Sequence, residues 1–213
     1  MEKEYFRYYK PKLLIITIII LSAIFGFLLD LIPPYLNGFL NKPYIHYPTV
    51  SSLIVLTLVF IDNKGIKLPV LNKLFWVKDI SGRYEGEIEY QDYKSNFIKK
   101  KTCFVEVEQK ASKININTYF NFNNEWKDEK SNSKSLVSSI SSDEFENQSL
   151  VFTYHNSGNT IKNIQPSNGT NILSIIERDK DTFLEGVYYT DRVPQTKGAM
   201  KVKLISKKLK RKF

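Results

Sequence analysis

DISGRYEGEIEYQ, Asp79 to Gln91, is the stretch from which the rest of the chain can be read. Successive side chains of an extended chain point to opposite faces, so Tyr84, Gly86, Ile88 and Tyr90 share one side while Arg83, Glu85, Glu87 and Glu89 share the other. One face suits a core and the other suits water. SKININTYFNF (Ser112 to Phe122) repeats the pattern, with Ile114, Ile116, Thr118, Phe120 and Phe122 opposing Asn115, Asn117, Tyr119 and Asn121. KTCFVEVEQ, SKSLVSSIS, QSLVFTYHN, TNILSIIER, DTFLEGVYYTD and KGAMKVKLIS complete eight short runs bounded by turn residues, and no long helical period separates them. Consecutive strands of this kind close most simply into a small antiparallel barrel, which removes the edges an open sheet would expose. A barrel of about eight strands is either filled by its own side chains or holds one small ligand.

The serine-rich SNSKSLVSSISS (Ser131 to Ser142) reads as a flexible linker by composition. Its Leu136, Ser138 and Ile140 still alternate, and it is kept as a strand. NFNNEWKDEKSN and NSGNTIKNIQPSNGT are loops by their Asn, Gly and Pro content.

Upstream the pattern changes to unbroken hydrophobicity. LLIITIIILSAIFGFLLDLI (Leu13 to Ile32) is long enough at ~1.5 Å per residue to cross a bilayer core of ~30 Å. YIHYPTVSSLIVLTLVFI (Tyr44 to Ile61) carries no formal charge and has tyrosines at its leading end, as expected near lipid headgroups. The two predict a transmembrane helical hairpin. A cleaved signal peptide competes for the first run, but no small-x-small cleavage site follows it and a second apolar run comes at once. Ser51, Ser52 and Thr57 on the second run either bond between helices or, as is commoner, bond their own backbone. Lys3, Arg7, Lys10 and Lys12 precede the first run and Lys64, Lys67, Lys73 and Lys78 follow the second, while the connection holds Lys42 alone, so both ends are expected in the cytoplasm. The expected layout is a membrane hairpin over 1–62, a juxtamembrane linker over 63–75, the barrel over 76–207 and a basic tail over 208–213.

The chain has 213 residues, a net charge of +9 and 42% apolar residues. Of the +7 carried after residue 61, five come from the terminal KKLKRKF, so the barrel itself is almost neutral and lacks the basic stripe that duplex nucleic acid requires. That tail reads as a solvated or membrane-surface end. Cys103 is the single cysteine, which excludes an internal disulfide and fits a reducing compartment; with His46 and His155 as the only histidines, no Cys/His zinc set can form. No phosphate-binding loop, dinucleotide fingerprint or metalloprotease pattern is present. Cys103 with His155 is a weak nucleophile pair, and Glu85, Glu87 and Glu89 read as a solvated strand face. Neither an enzyme, a metal nor a cofactor is expected.

DTFLEGVYYTD leads into Arg192, placing Leu184, Gly186, Tyr188, Thr190 and Arg192 on one face. Which face is interior cannot be read from one strand. Gly186 and Gly198 are side-chain-free positions that would leave room inside. A guanidinium fork, a hydroxyl and an aromatic ring suit a nucleotide, phosphate to the first and base to the last, and Tyr84, two residues after Gly82, repeats the spacing of Tyr188 after Gly186. The same residues also read as ordinary packing at a barrel mouth.

A two-span hairpin followed directly by a barrel that opens with GRYEGEIEY and closes with LEGVYYTDR and KGAMKVKLIS resembles the two-transmembrane, β-strand-rich effectors of bacterial CBASS antiphage systems. The resemblance covers the whole chain and rests on architecture and element order. It implies a receptor barrel for a cyclic dinucleotide, ligand-induced homo-oligomerisation and disruption of the bacterial inner membrane, ending in abortive infection. It also implies that Tyr84, Tyr188, Thr190 and Arg192 belong to the pocket. Two other readings stay open: a membrane-anchored, lipocalin-like carrier or sensor with an apolar ligand against Phe120, Phe122 and Phe152, and a solid barrel whose surface binds a protein partner.

Overall fold

The computed structural model describes residues 5–31, 48–91, 97–120, 131–161 and 163–212. They form two compact units, one of Asp79–Gln109 with Lys113–Phe213 and one of Glu4–Lys78 with Lys110–Ser112, the turn that links two strands of the first.

The first unit is a closed barrel of eight strands, each antiparallel to the next. In chain order they are β1 (Gly82–Gln91), β2 (Ile98–Gln109), β3 (Ile114–Phe120), β4 (Ser131–Ser142), β5 (Gln148–Asn156), β6 (Ser167–Arg178), β7 (Asp181–Thr190) and β8 (Lys197–Ser206). All eight expected runs are strands, the serine-rich one included; there Ile140 faces Leu150 and Ser138 faces Phe152 after a bulge between Ser135 and Val137. Closure comes from β1 pairing with β8, Arg83 opposite Ser206 through Tyr90 opposite Gly198.

The alternation sorts as the sequence predicts. Tyr84, Val105, Leu150, Leu173 and Leu184 are fully buried on the inner face, and each such residue contributes ~1.5–3 kcal/mol by leaving water. Glu87 and Glu89 stand on the outer face, where Lys100 pairs with both. Lys201 reaches Glu185 at 3.1 Å and Lys203 reaches Asp181 at 2.6 Å on the same wall. Such exposed pairs contribute ~0–1 kcal/mol each and serve solubility more than stability.

One outer ion pair is different. Arg83 and Glu106 are opposite each other on β1 and β2, both about 1% exposed, with Arg83 Nη1 2.8 Å from Glu106 Oε1. The tail covers them: the Lys210 and Arg211 amides donate to the Glu106 carboxylate at 2.7 and 3.0 Å, and Arg83 Nη1 donates to the Lys212 carbonyl at 2.6 Å. The Arg83 guanidinium also lies 4.0 Å from the centre of the Phe104 ring. The tail is thus held by its backbone, with its basic side chains exposed.

The second unit holds helix α1 (Pro11–Asp30) and helix α2 (Val50–Lys64), which pack on each other. Helix α1 has 20 residues, a mean hydropathy of 2.7 and no buried residue, which is long and apolar enough to cross a membrane; it is the one such helix among the described residues. The described part of the second predicted span is shorter than a bilayer crossing. Helix α2 starts at Val50, capped by Thr49, whose hydroxyl accepts from the Ser52 amide at 3.2 Å. Pro48 just before it disfavours helix at its predecessor, and Asp62, Asn63 and Lys64 make the last turn polar. The remaining apolar part, Val50 to Ile61, reaches only about 18 Å at ~1.5 Å per residue; Tyr44 to Tyr47 and the connection lie outside the described residues. Thr57 donates to the Leu53 carbonyl and Thr17 to that of Leu13, each at 2.8 Å, while the Ser51 hydroxyl lies 2.9 Å from that of Thr49. Two short helical turns, Gly65–Lys67 and Leu71–Leu74, follow helix α2. Tyr9 stacks edge-on to Phe75 at 4.6 Å and Tyr8 to Trp76 at 5.6 Å.

Glu106→Ala leaves Arg83 buried without its partner and unpins the tail, so the barrel is expected to lose about 3–5 kcal/mol. Urea unfolding followed by tyrosine and tryptophan fluorescence measures it; a loss below 1 kcal/mol contradicts the account of the tail.

A candidate ligand site inside the barrel mouth

Alternation along β7 carries Leu184, Tyr188 and Thr190 inward, which settles the face left open by the sequence. Tyr188, Thr190 and Arg192 line one cavity of about 110 Å³ at the end of the barrel where β7 leads into β8. Its other walls come from Ile88 and Tyr90 on β1, Lys101 on β2, Phe120, Tyr154 and Asn156, and the hydroxyls of Ser131, Ser167 and Thr196.

Register places each group. Ile88 opposite Lys101 sends the lysine to the inner face, where its Nζ sits 4.2 Å from the centre of the Tyr90 ring. Tyr188 lies opposite Gly198, and a Cβ there would stand 2.9 Å from the Tyr188 ring and 1.9 Å from the Glu89 carbonyl oxygen. Tyr154 lies opposite Gly169, where a Cβ would meet its ring at 2.4 Å. Tyr188 and Tyr154 therefore fit because their cross-strand neighbours have no side chain. Gly186 and Gly198 do not leave empty space as expected; at Gly186 the Ile172 carbonyl oxygen fills it, 2.0 Å from where a Cβ would be.

Arg192 is held by Nε donating to the Ser167 hydroxyl at 3.1 Å, and its terminal nitrogens have no hydrogen-bond or ion-pair partner among the described residues. Thr190 is committed to the loop, its hydroxyl donating to the Thr196 carbonyl at 3.2 Å and accepting from the Thr196 amide at 3.1 Å. Beside it Asp191 clasps Asn168, accepting from its amide and its side-chain nitrogen at 2.8 Å each. That clasp fixes where Arg192 starts.

Tyr84 is set apart. It is fully buried with its hydroxyl donating to the Ile80 carbonyl at 2.9 Å, and it does not line the cavity. β1 and β7 run in the same direction, so the start of β1 lies at the opposite end of the barrel from the end of β7. Lys101, which the sequence reading missed, takes its place. Cys103 and His155 face opposite ways: the thiol is buried inside with its pKa pushed up by burial, and the imidazole is outside, its Nδ1 2.9 Å from Asn168 Oδ1.

The cavity thus joins two cations, Lys101 and Arg192, to three tyrosines, and among the described residues no carboxylate lines it. Burial holds the Tyr188 phenol above its ordinary range, Tyr154 and Tyr90 adding and Arg192 opposing. A larger groove of about 530 Å³ crosses the outer wall at β1, β7 and β8, but its lysines already stand in ion pairs, Lys100 with Glu87 and Glu89, Lys201 with Glu185 and Lys203 with Asp181. The interior cavity is the site equipped for an anion with aromatic parts.

Comparison with known families agrees. Residues 75–204 match the family described as Cap15, cyclic dinucleotide receptor domain. The chain belongs to this Cap15 receptor family. The match spans more than half of the chain and the whole barrel as far as Leu204, and with the closed eight-stranded fold it fits a CBASS effector of the Cap15 type that senses cyclic dinucleotides. A search among curated proteins found no match.

Burial raises the Tyr154 pKa from 10.0 to about 12, Arg192 opposing and Asp191 adding. The stability this represents is complete below pH 10 and is lost as pH rises toward 12, because the unfolded chain releases the proton first. Between those limits the wild type should lose stability more steeply than Tyr154→Phe, by about 1.4 kcal/mol per pH unit; equal slopes in urea melts contradict the placement.

Proposed function

We propose that the barrel mouth binds the cyclic dinucleotide, and that occupancy drives association of copies whose apolar helices then disrupt the inner membrane. The observation that carries the ligand assignment is the pair Lys101 and Arg192 in one tyrosine-walled cavity that no carboxylate lines among the described residues. A guanidinium fork grips a phosphate through two parallel bonds, and an ammonium supplies a second point charge. Tyr90, Tyr154 and Tyr188 offer faces on which bases stack, worth ~1–3 kcal/mol per base. Thr190 positions the Arg192 loop. A lipocalin-like carrier of apolar ligands is disfavoured by two inward cations, whose desolvation by such a ligand would be costly.

The cavity is smaller than the ~300–1,000 Å³ of ordinary small-molecule sites. Seating a whole cyclic dinucleotide therefore requires the mouth to widen, and the widened barrel is the form that associates. A ligand shifts such an equilibrium only through its preference for one form, about 5.5 kcal/mol for a nearly complete switch. Association then holds tethered helices at high local concentration. Helix α1, lacking any buried residue, offers the face turned away from α2 to lipid or to other copies. Lysines and arginines before α1 and after α2 keep both flanks on the cytoplasmic side, where the nucleotide is made. The protein acts by binding, with no chemical turnover.

Full-length protein in nanodiscs is titrated with a panel of cyclic dinucleotides by calorimetry, alongside dye release from phosphatidylethanolamine–phosphatidylglycerol liposomes. Arg192→Ala and Lys101→Ala should each weaken binding about 10- to 100-fold and raise the ligand concentration needed for leakage in proportion. Unchanged affinity in both variants contradicts the site, and binding without leakage contradicts the membrane step.

A further inference from the structure

Three buried side-chain polar atoms lack a partner among the described residues: Arg83 Nε, Ser138 Oγ and Asn171 Oδ1. The first lies on the outer wall under the tail. The other two share one row of the barrel interior. Ser138 is opposite Phe152 on β5, and Phe152 is opposite Asn171 on β6, which in turn is opposite Tyr188 on β7. Strands are ~4.8 Å apart, so the hydroxyl and the amide flank the Phe152 ring from either side.

Buried polar groups are nearly always paired, and one left alone costs ~1–3 kcal/mol. Two such groups in one row, on either side of a phenylalanine, are a repeated cost at a single place. The row adjoins the cavity: Tyr188 belongs to both, and on β6 Asn171 is separated from the cavity-lining Ser167 by Gly169, over which the Tyr154 ring lies. Asn171 is 2% exposed, so the acceptor is reached only when Tyr154 swings aside.

We infer that this row is the base-reading part of the ligand site. Asn171 Oδ1 accepts from an exocyclic amine of a nucleobase, and the Ser138 hydroxyl donates to a ring nitrogen or carbonyl oxygen, with Phe152 beneath. The inference rests on the cyclic-dinucleotide reading and adds to it the ligand class, one whose base carries an amine. A site built around an unpaired acceptor rejects a ligand without the matching donor far more strongly than a merely apolar pocket does.

The test uses full-length protein in nanodiscs and three probes: cyclic di-AMP, cyclic di-GMP and cyclic di-IMP, the last lacking the amine of both others. Wild type should bind the better of the first two at least tenfold more tightly than cyclic di-IMP. Asn171→Val should bring the two affinities within about threefold, and should raise the melting temperature of the ligand-free protein because an unpaired buried acceptor is gone. Ser138→Ala, which deletes a single atom, should weaken the amine-bearing probe and reads the same row if valine does not fit. Equal wild-type affinities for all three, or discrimination that survives both variants, overturns the inference; in the second case the row holds an ordered water only. Failure of wild type to bind any cyclic dinucleotide removes the receptor reading itself, and this inference with it.

Discussion

The pairing of β1 with β8 is the constraint on which everything else depends. Without it Gly82 to Gln91 and Lys197 to Ser206 would each present a row of unpaired amides and carbonyls, an open template for other strands. With it, the sheet encloses an interior narrow enough to be filled by single side chains from each strand. Gly198 stands on that seam, and the absent Cβ serves twice, admitting the Glu89 carbonyl on one side and the Tyr188 ring on the other. Closure and cavity wall are therefore one piece of geometry.

Narrowness also explains how polarity is spent. Toward the end bearing Tyr84 the interior is aliphatic and dry, with Val105, Val107, Leu184 and Val202 almost wholly buried. Toward the mouth, hydroxyls, an amide, two cations and tyrosines replace them. Between the two zones lies the row of Ser138, Phe152 and Asn171, with polar atoms that the chain itself leaves without partners. A protein selected for stability alone would have filled that row with aliphatic side chains. Stability given up at a binding site is the usual pattern, since groups kept ready for a ligand are poorly satisfied without it.

Much of this was visible in the residues. Period-two alternation marked every strand, and the spacing of Tyr188, Thr190 and Arg192 marked their common face, because both follow from local backbone geometry. What depended on register was not visible. Lys101 ends a run with Lys99 and Lys100 that looks like a solvated basic patch, and only its position opposite Ile88 turns it inward. Tyr84 matched Tyr188 in spacing from a glycine, but spacing carries no information about which end of a barrel a residue occupies. Glu106 and Glu108 look alike in FVEVEQ, yet one receives the tail's amides. On the membrane side, hydropathy found α1 directly, whereas of the second run only Val50 to Ile61 falls in a described helix. Asn171 carried no signal in TNILSIIER, since an asparagine at an inward position reads as an isolated exception to the pattern.

The central claim is that the anionic ligand enters the barrel. A structure of the full-length protein determined with the tightest-binding cyclic dinucleotide would test it most directly. The account predicts ligand density inside the mouth, phosphates toward Lys101 and Arg192, a base against Tyr188, and Tyr154 displaced from Gly169. Density on the outer wall, in the groove bounded by Lys100, Lys201 and Lys203, with an undisturbed interior, would contradict it.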